Sequence, residues 1–216
     1  MHVSAEIRWF WREQPPEGFK DWFLSIVVHE VMVGGGSTRV DRYLIDPEQS
    51  ELGLKARGGK TGIEVKGLVA VAPDGLNTPP FAGPIELWGK WTSEALQFGS
   101  LSTRSLEKQR WLRTFDTALA SPVEIPLDSE DQPLDGHILP TQGCNVELVR
   151  IRLLPKGDTW WTYAFEAFGA LESVANSLRM VASVIADRQP PPLGRPLVAS
   201  YPAWLGERSP APRQGQ

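Results

Sequence analysis

The sequence predicts an α+β chain that is mainly β, with about eight strands and two or three helices. Three observations carry that reading. Residues 54–57, 63–68 and 85–91 are short segments that alternate charged and apolar side chains with a period of two. Residues 146–154 and 159–168 flank Pro155-Lys156-Gly157-Asp158 as a hairpin. Gly- and Pro-rich connections separate these segments, and residues 170–187 alone keep a long helical period. Side chains two apart on a strand point the same way, so Lys55 with Arg57, Glu64 with Lys66, and Glu86 with Lys90 each share a face. Two placements of those faces stay open. They either meet water on one side of a sheet, or point into a barrel towards a polyanion.

In chain order, residues 5–12 form the first strand, with Glu6, Arg8 and Phe10 on one face and Ile7, Trp9 and Trp11 on the other. Pro15-Pro16 ends it. Phe19, Trp22, Phe23 and Ile26 then recur at the spacing of a short helix, and Pro16 and Glu17 suit its start. Residues 27–33 are β-branched, and pattern alone leaves open whether they continue that helix or form a strand. Gly34-Gly35-Gly36-Ser37 is a turn, followed by a strand over 38–45 with Asp41 and Tyr43 on one face.

Gly58-Gly59-Lys60-Thr61-Gly62 joins the first two charged strands as a hairpin. It is not a phosphate-binding P-loop, because that motif needs a glycine where Leu54 stands. A Pro-, Gly- and Asn-rich loop covers 73–84, and residues 92–98 read as a short helix capped by Ser93. Residues 106–115 fit a strand or a helix; as a strand they put Lys108 and Arg110 on one face. Residues 121–143 are irregular apart from a short strand over 123–125. In the hairpin that follows, Glu147, Val149 and Ile151 share one side, and Leu148, Arg150 and Arg152 the other. Leu171, Val174, Leu178, Val181 and Ile185 mark the helix over 170–187. Prolines from Pro190 to Pro212 make residues 189–216 a flexible tail after a domain of residues 1–188, with local docking of Trp204 and Leu205 as the minor alternative.

Composition removes several function classes. The net charge of −4 supplies no overall basic field, which argues against nucleic acid as the partner. Cys144 is the only cysteine, so no intramolecular disulfide forms, as suits a reducing cytosol. His2, His29 and His137 lie far apart, which rules out a structural zinc site and leaves a hard cation on carboxylates as the remaining metal option. There is no signal-peptide core and no run of about 18 apolar residues, so the expectation is a soluble, cytoplasmic protein without a membrane partner.

The elements also recur in a known order. Glu6-Ile7-Arg8-Trp9-Phe10 opens the series, followed by Asp41-Arg42-Tyr43, Lys55-Ala56-Arg57 and Glu64-Val65-Lys66-Gly67. Glu86 with Lys90, Lys108-Gln109-Arg110 and Glu166-Ala167-Phe168 complete it. Over residues 3–187 this order resembles the CYTH family, the triphosphate tunnel metalloenzymes. The resemblance implies an eight-stranded antiparallel tunnel-like barrel with a few packing helices. In that family Lys and Arg from many strands bind a triphosphate, and Glu residues hold Mg²⁺ or Mn²⁺. This chain departs from the pattern at Arg8, Phe10 and Phe168, where the family has Glu, Lys and Glu. Two carboxylates of the metal cage are thereby lost, and a cation stands at one of them.

By that resemblance, Arg8, Lys55, Arg57, Lys66, Lys90, Lys108 and Arg110 would bind a small-molecule polyanion such as a triphosphate, with Arg150 as a further candidate. Glu6, Glu64, Glu86 and Glu166 would hold Mg or Mn. The enzyme reading is a metal-dependent triphosphatase that hydrolyses a phosphoanhydride, with no catalytic residue assigned. The alternative is a non-catalytic anion-binding or partner-binding module that has lost the metal site. For the cations, the plain reading remains a solvated sheet face; for Glu64 and Glu86, it is pairing with nearby lysines.

Overall fold

In the computed structural model the described residues are 2–26, 36–46, 48, 50–155 and 157–207. Strand β1 (His2–Arg12) leads to helix α1 (Phe19–Ser25), then to β2 (Ser37–Leu44), β3 (Leu52–Arg57) and β4 (Ile63–Val71). The short pair β5 (Leu76–Thr78) and β6 (Phe81–Gly83) precedes β7 (Glu86–Ser93), β8 (Thr103–Asp116) and β9 (Val123–Ile125). The long strands β10 (Gly143–Leu153) and β11 (Thr159–Gly169) follow, then α2 (Leu171–Ala186), β12 (Leu197–Val198) and α3 (Tyr201–Gly206). Eight strands close into an antiparallel barrel in the order β10-β11-β1-β7-β4-β3-β2-β8, with β8 returning to β10. Beyond the ends of their barrel neighbours, β9 pairs with β8 and β12 with β1.

The main hydrophobic core lies outside the barrel wall. Ala5, Ile7, Trp9 and Trp11 of β1 pack with Phe19 and Phe23 of α1 and with Leu76 and Phe81 of the β5–β6 hairpin. Val174, Leu178, Val181, Ala182 and Ile185 of α2 join the same cluster. On β3 and β4 the apolar residues Ile63 and Val65, with Leu54 and Ala56, pack with Phe98 instead, and the charged side chains of these strands line the barrel interior. Of the two placements open in the sequence, the inward one is observed.

A second apolar cluster fills one end of the barrel. Phe10, Tyr43, Leu106, Ile151 and Trp160 meet Trp204 and Leu205 of α3 there. Trp204 is fully buried; it stacks on Phe10 at a centroid distance of 4.8 Å and meets Trp160 edge-on at 5.6 Å. Ser200 caps α3 by accepting from the Ala203 amide at 3.4 Å, and Pro202 sits in the first turn, where its missing N–H costs nothing.

Several expectations are corrected. The flexible-tail reading gives way, for residues 189–207, to its minor alternative: Trp204 and Leu205 dock, β12 joins the sheet and α3 plugs the barrel; residues 208–216 lie outside those described. Residues 92–98 form no helix. Trp91, Thr92 and Ser93 pair with Val65, Glu64 and Ile63 in the ladder instead, and Phe98 packs beside Ile63 and Val65. The loop over 73–84 contains the β5–β6 hairpin, and residues 27–33 lie outside the described residues. The ambiguous stretch 106–115 is strand, because β10 and β2 take its two edges.

The plug should matter far more than its short length suggests. Trp204→Ala is expected to cost about 3–5 kcal/mol in urea denaturation. Trp91→Ala, at a side chain 45% exposed, should cost about 0.5 kcal/mol or less. Equal effects would mean that α3 does not belong to the cooperative fold.

Candidate functional site

The barrel interior encloses a cavity of about 670 Å³. Its lining includes eight Lys or Arg side chains and four Glu side chains, contributed by all eight barrel strands. Three charged groups divide the wall between them.

The first group joins β1, β4, β7 and β11. Glu6 and Glu166 are cross-strand neighbours. Lys90 Nζ donates to both, at 2.7 Å to Glu6 Oε1, and Lys66 Nζ donates to Glu6 Oε2 at 2.5 Å. Ser4 Oγ adds a hydrogen bond of 2.8 Å to Glu6. Burial alone would raise the Glu6 carboxyl, but the two ammonium groups outweigh it and hold it well below the usual carboxylate range. Lys90 resists the downward pull of burial and is held above its ordinary value by Glu166 and Glu6.

The second group joins β1, β8 and β10. Arg8 reaches Glu147 Oε2 at 3.1 Å and donates to Thr162 Oγ1 at 3.0 Å. Arg110 reaches Glu147 Oε1 at 3.0 Å, and its other terminal nitrogen pairs with Asp131 from the segment after β9. Burial opposes ionisation of Glu147, yet Arg110 and Arg8 drive its carboxyl far below the ordinary range.

The third group joins β2, β3, β4 and β8. Arg39 Nε donates to both oxygens of Asp41 at 3.2 Å. Lys108 Nζ stands 3.7 Å from Asp41 and donates to Tyr43 Oη. The same ammonium lies 3.7 Å from the centroid of the Tyr201 ring, so α3 forms a floor over it. Glu64 serves two cations, Lys55 at 2.8 Å and Arg57 at 3.8 Å. Burial, then nearby Lys55, push Lys108 well below the usual ammonium range; Asp41 opposes this, while Arg39 and Arg8 add to it.

Arg8, Lys55, Arg57, Lys66, Lys90, Lys108 and Arg110 all line the one cavity, together with Glu6, Glu64 and Glu166. Two candidates are corrected. Arg150 is exposed, because β10 turns Glu147 and Val149 inward and therefore Arg150 outward. Glu86 lies away from the main cavity, where its carboxylate accepts from Trp88 Nε1 at 3.0 Å and burial raises its pKa. Sequence reasoning missed Arg39, Glu147, Asp131 and Tyr201. For Arg39 the signal existed, since it shares strand parity with Asp41 and Tyr43; Glu147 escaped because the candidate chosen on its strand, Arg150, lies on the opposite face. Asp131 and Tyr201 lie outside the strands that carried that signal.

The carboxylates do not make a metal cage. Lys90 occupies the space between Glu6 and Glu166, Glu64 is bound to Lys55 and Arg57, and Glu86 is turned to Trp88. Among the described residues, no three His, Cys, Asp or Glu side chains converge for a metal ion. Mg²⁺ or Mn²⁺ therefore does not fit this donor set as it stands. No described helix is long and apolar enough to cross a membrane. Comparison with models of known protein families and with curated proteins finds no match.

Two substitutions should separate structural charge from costly charge. Glu147→Gln leaves Arg8 and Arg110 short of a buried counter-charge and should cost about 3–5 kcal/mol at neutral pH. The wild-type carboxylate supplies that stability above its unfolded pKa and loses it as pH falls through its depressed folded value. Lys108 has the opposite sign. Its folded pKa is lowered, so the unfolded chain binds the extra proton, and stability should rise with pH from that folded value towards about 10.4. Lys108→Met should flatten this slope without lowering the melting temperature. A large loss of stability in Lys108→Met would show the ammonium to be structural.

Proposed function

We propose that this chain is a divergent tunnel protein, similar to the triphosphate tunnel metalloenzymes, that binds a phosphate-bearing polyanion inside its barrel without turning it over. One observation supports this above the others: cations from β1, β2, β3, β4, β7 and β8 share a single interior cavity in which they outnumber the carboxylates. Removing a charge from water costs several kcal/mol unless it is compensated. Interior cations in excess of their internal partners therefore favour an anionic guest, and low-dielectric walls strengthen the attraction. The volume lies in the range used by small-molecule ligands.

The chain as a whole is acidic while this cavity is basic, which favours a small guest over nucleic acid spread across the outer surface. Hydrolysis assisted by Mg²⁺ or Mn²⁺ is left out of the reading, because Lys90 already neutralises the carboxylate pair a metal would need. The buried lone thiol of Cys144 agrees with work in the reducing cytoplasm.

Thermal unfolding in inorganic tripolyphosphate is the direct test. A ligand specific for the folded state at a hundredfold excess over Kd stabilises by about 2.7 kcal/mol. The wild type should show such a rise, Lys55→Met should lose most of it, and no phosphate should be released with Mg²⁺, with Mn²⁺ or without metal. Absence of any shift would remove the binding reading, and metal-dependent phosphate release would replace it with the enzyme.

A further inference from the structure

We infer that the cavity receives the dianionic head of a single phosphomonoester on the wall made by β2, β3 and β8, rather than a triphosphate chain stretched along the tunnel. This rests on the anion-binding reading above and narrows its ligand class.

The interior charge is unevenly compensated. Lys66 and Lys90 are matched by Glu6 and Glu166, and Arg8 and Arg110 by Glu147 and Asp131. Recruiting either set to a ligand would leave a buried carboxylate without its partner, which is strongly unfavourable. On the remaining wall Arg39, Lys55, Arg57 and Lys108 face, among the described residues, only Asp41 and Glu64. With Lys108 in its ammonium form, which a bound anion favours, the surplus is two positive charges, and it is local.

The strand register makes those four cations one patch. Arg39 is the cross-strand neighbour of Lys108, Asp41 of Arg57, and Tyr43 of Lys55. A phosphomonoester carries a charge of about −1.5 to −2 near neutral pH and presents three acceptor oxygens. That matches the surplus, whereas a triphosphate brings more charge than the patch can neutralise.

Geometry limits the head group on its inner side. Tyr201 lies against Lys108 and, with Pro202, forms the floor of the cavity, so a phosphate chain cannot continue past that end. In the other direction lies the balanced set of Glu6, Glu166, Lys66 and Lys90. Such a surface suits hydroxyl or amide groups of an organic moiety better than further phosphates. A cavity of about 670 Å³ leaves ample room for that moiety. Lys108 faces Asp41, Arg39, Tyr43, Lys55, Arg8 and Tyr201, and burial among these holds it below the usual ammonium range. A dianion on this wall supplies the counter-charge that Lys108 lacks.

The test is calorimetric titration of the full chain with phenyl phosphate and, separately, with inorganic tripolyphosphate, at matched ionic strength and neutral pH. Phenyl phosphate should bind at least as tightly as tripolyphosphate. Arg57→Met and Lys55→Met, checked for folding by circular dichroism, should each weaken phenyl phosphate binding about tenfold, the loss expected for one charged hydrogen-bond partner. If tripolyphosphate binds more tightly, or if either variant leaves phenyl phosphate binding unchanged, the one-wall assignment is wrong while the anion-binding tunnel stands. If neither compound binds, the tunnel reading itself falls.

Discussion

Every charge that this barrel turns inward must find a counter-charge, and most of the architecture follows from that constraint. The apolar faces of β1, β10 and β11 are occupied from outside by α1, α2 and the β5–β6 hairpin. The opposite faces are left to the interior, where Lys, Arg and Glu alternate with a few aromatic rings. Ion pairs such as Arg8 with Glu147 and Lys66 with Glu6 are then conditions for closing the barrel rather than additions to its stability. The wall that leaves two cations over is the exception, and exceptions to pairing are where a ligand has something to contribute.

The floor of the cavity comes from an unpromising piece of sequence. A Pro-rich stretch has little to gain from regular structure, but here prolines and a serine cap set up six residues of helix that deliver Trp204 and Tyr201 to the barrel end. Two different roles sit on this one short element. Trp204 completes the apolar cluster, while Tyr201 turns its ring to Lys108 and Arg8. The apolar packing and the floor of the charged cavity are therefore mechanically joined at α3.

Much of the wall was legible in the sequence because a period of two assigns side chains to faces with no further information. Glu6 with Arg8, Lys55 with Arg57, and Lys108 with Arg110 fell on shared faces, and they share the cavity. Period alone cannot say which face looks inward, since that depends on what covers the other one. Arg150 shows the cost of this ambiguity: its strand parity was read correctly, and its side of the wall was not. Tyr201 was hidden by composition, and docking of Trp204 and Leu205 ranked only as the minor alternative, because prolines usually mark unburied chain. Asp131 was hidden by distance, as it reaches Arg110 from a turn held by Asp128, whose carboxylate accepts from the Glu130 and Gln132 amides.

The pairing of β1 with β11 and β12 has a consequence for how the molecule comes into being. Strand β1 precedes the other described strands in the chain, yet its edges are filled by β7, β11 and β12, the last of these near the far end of the described chain. Contacts this distant in sequence make for slow folding. Until then the aromatic face of β1, with Trp9 and Trp11, has no α2 to cover it. During synthesis β1 therefore stays an exposed apolar strand until β11, α2 and β12 have been made. The chain's lysines and glutamates stay hydrated through that interval, and lose water only in the closing step that also creates the cavity.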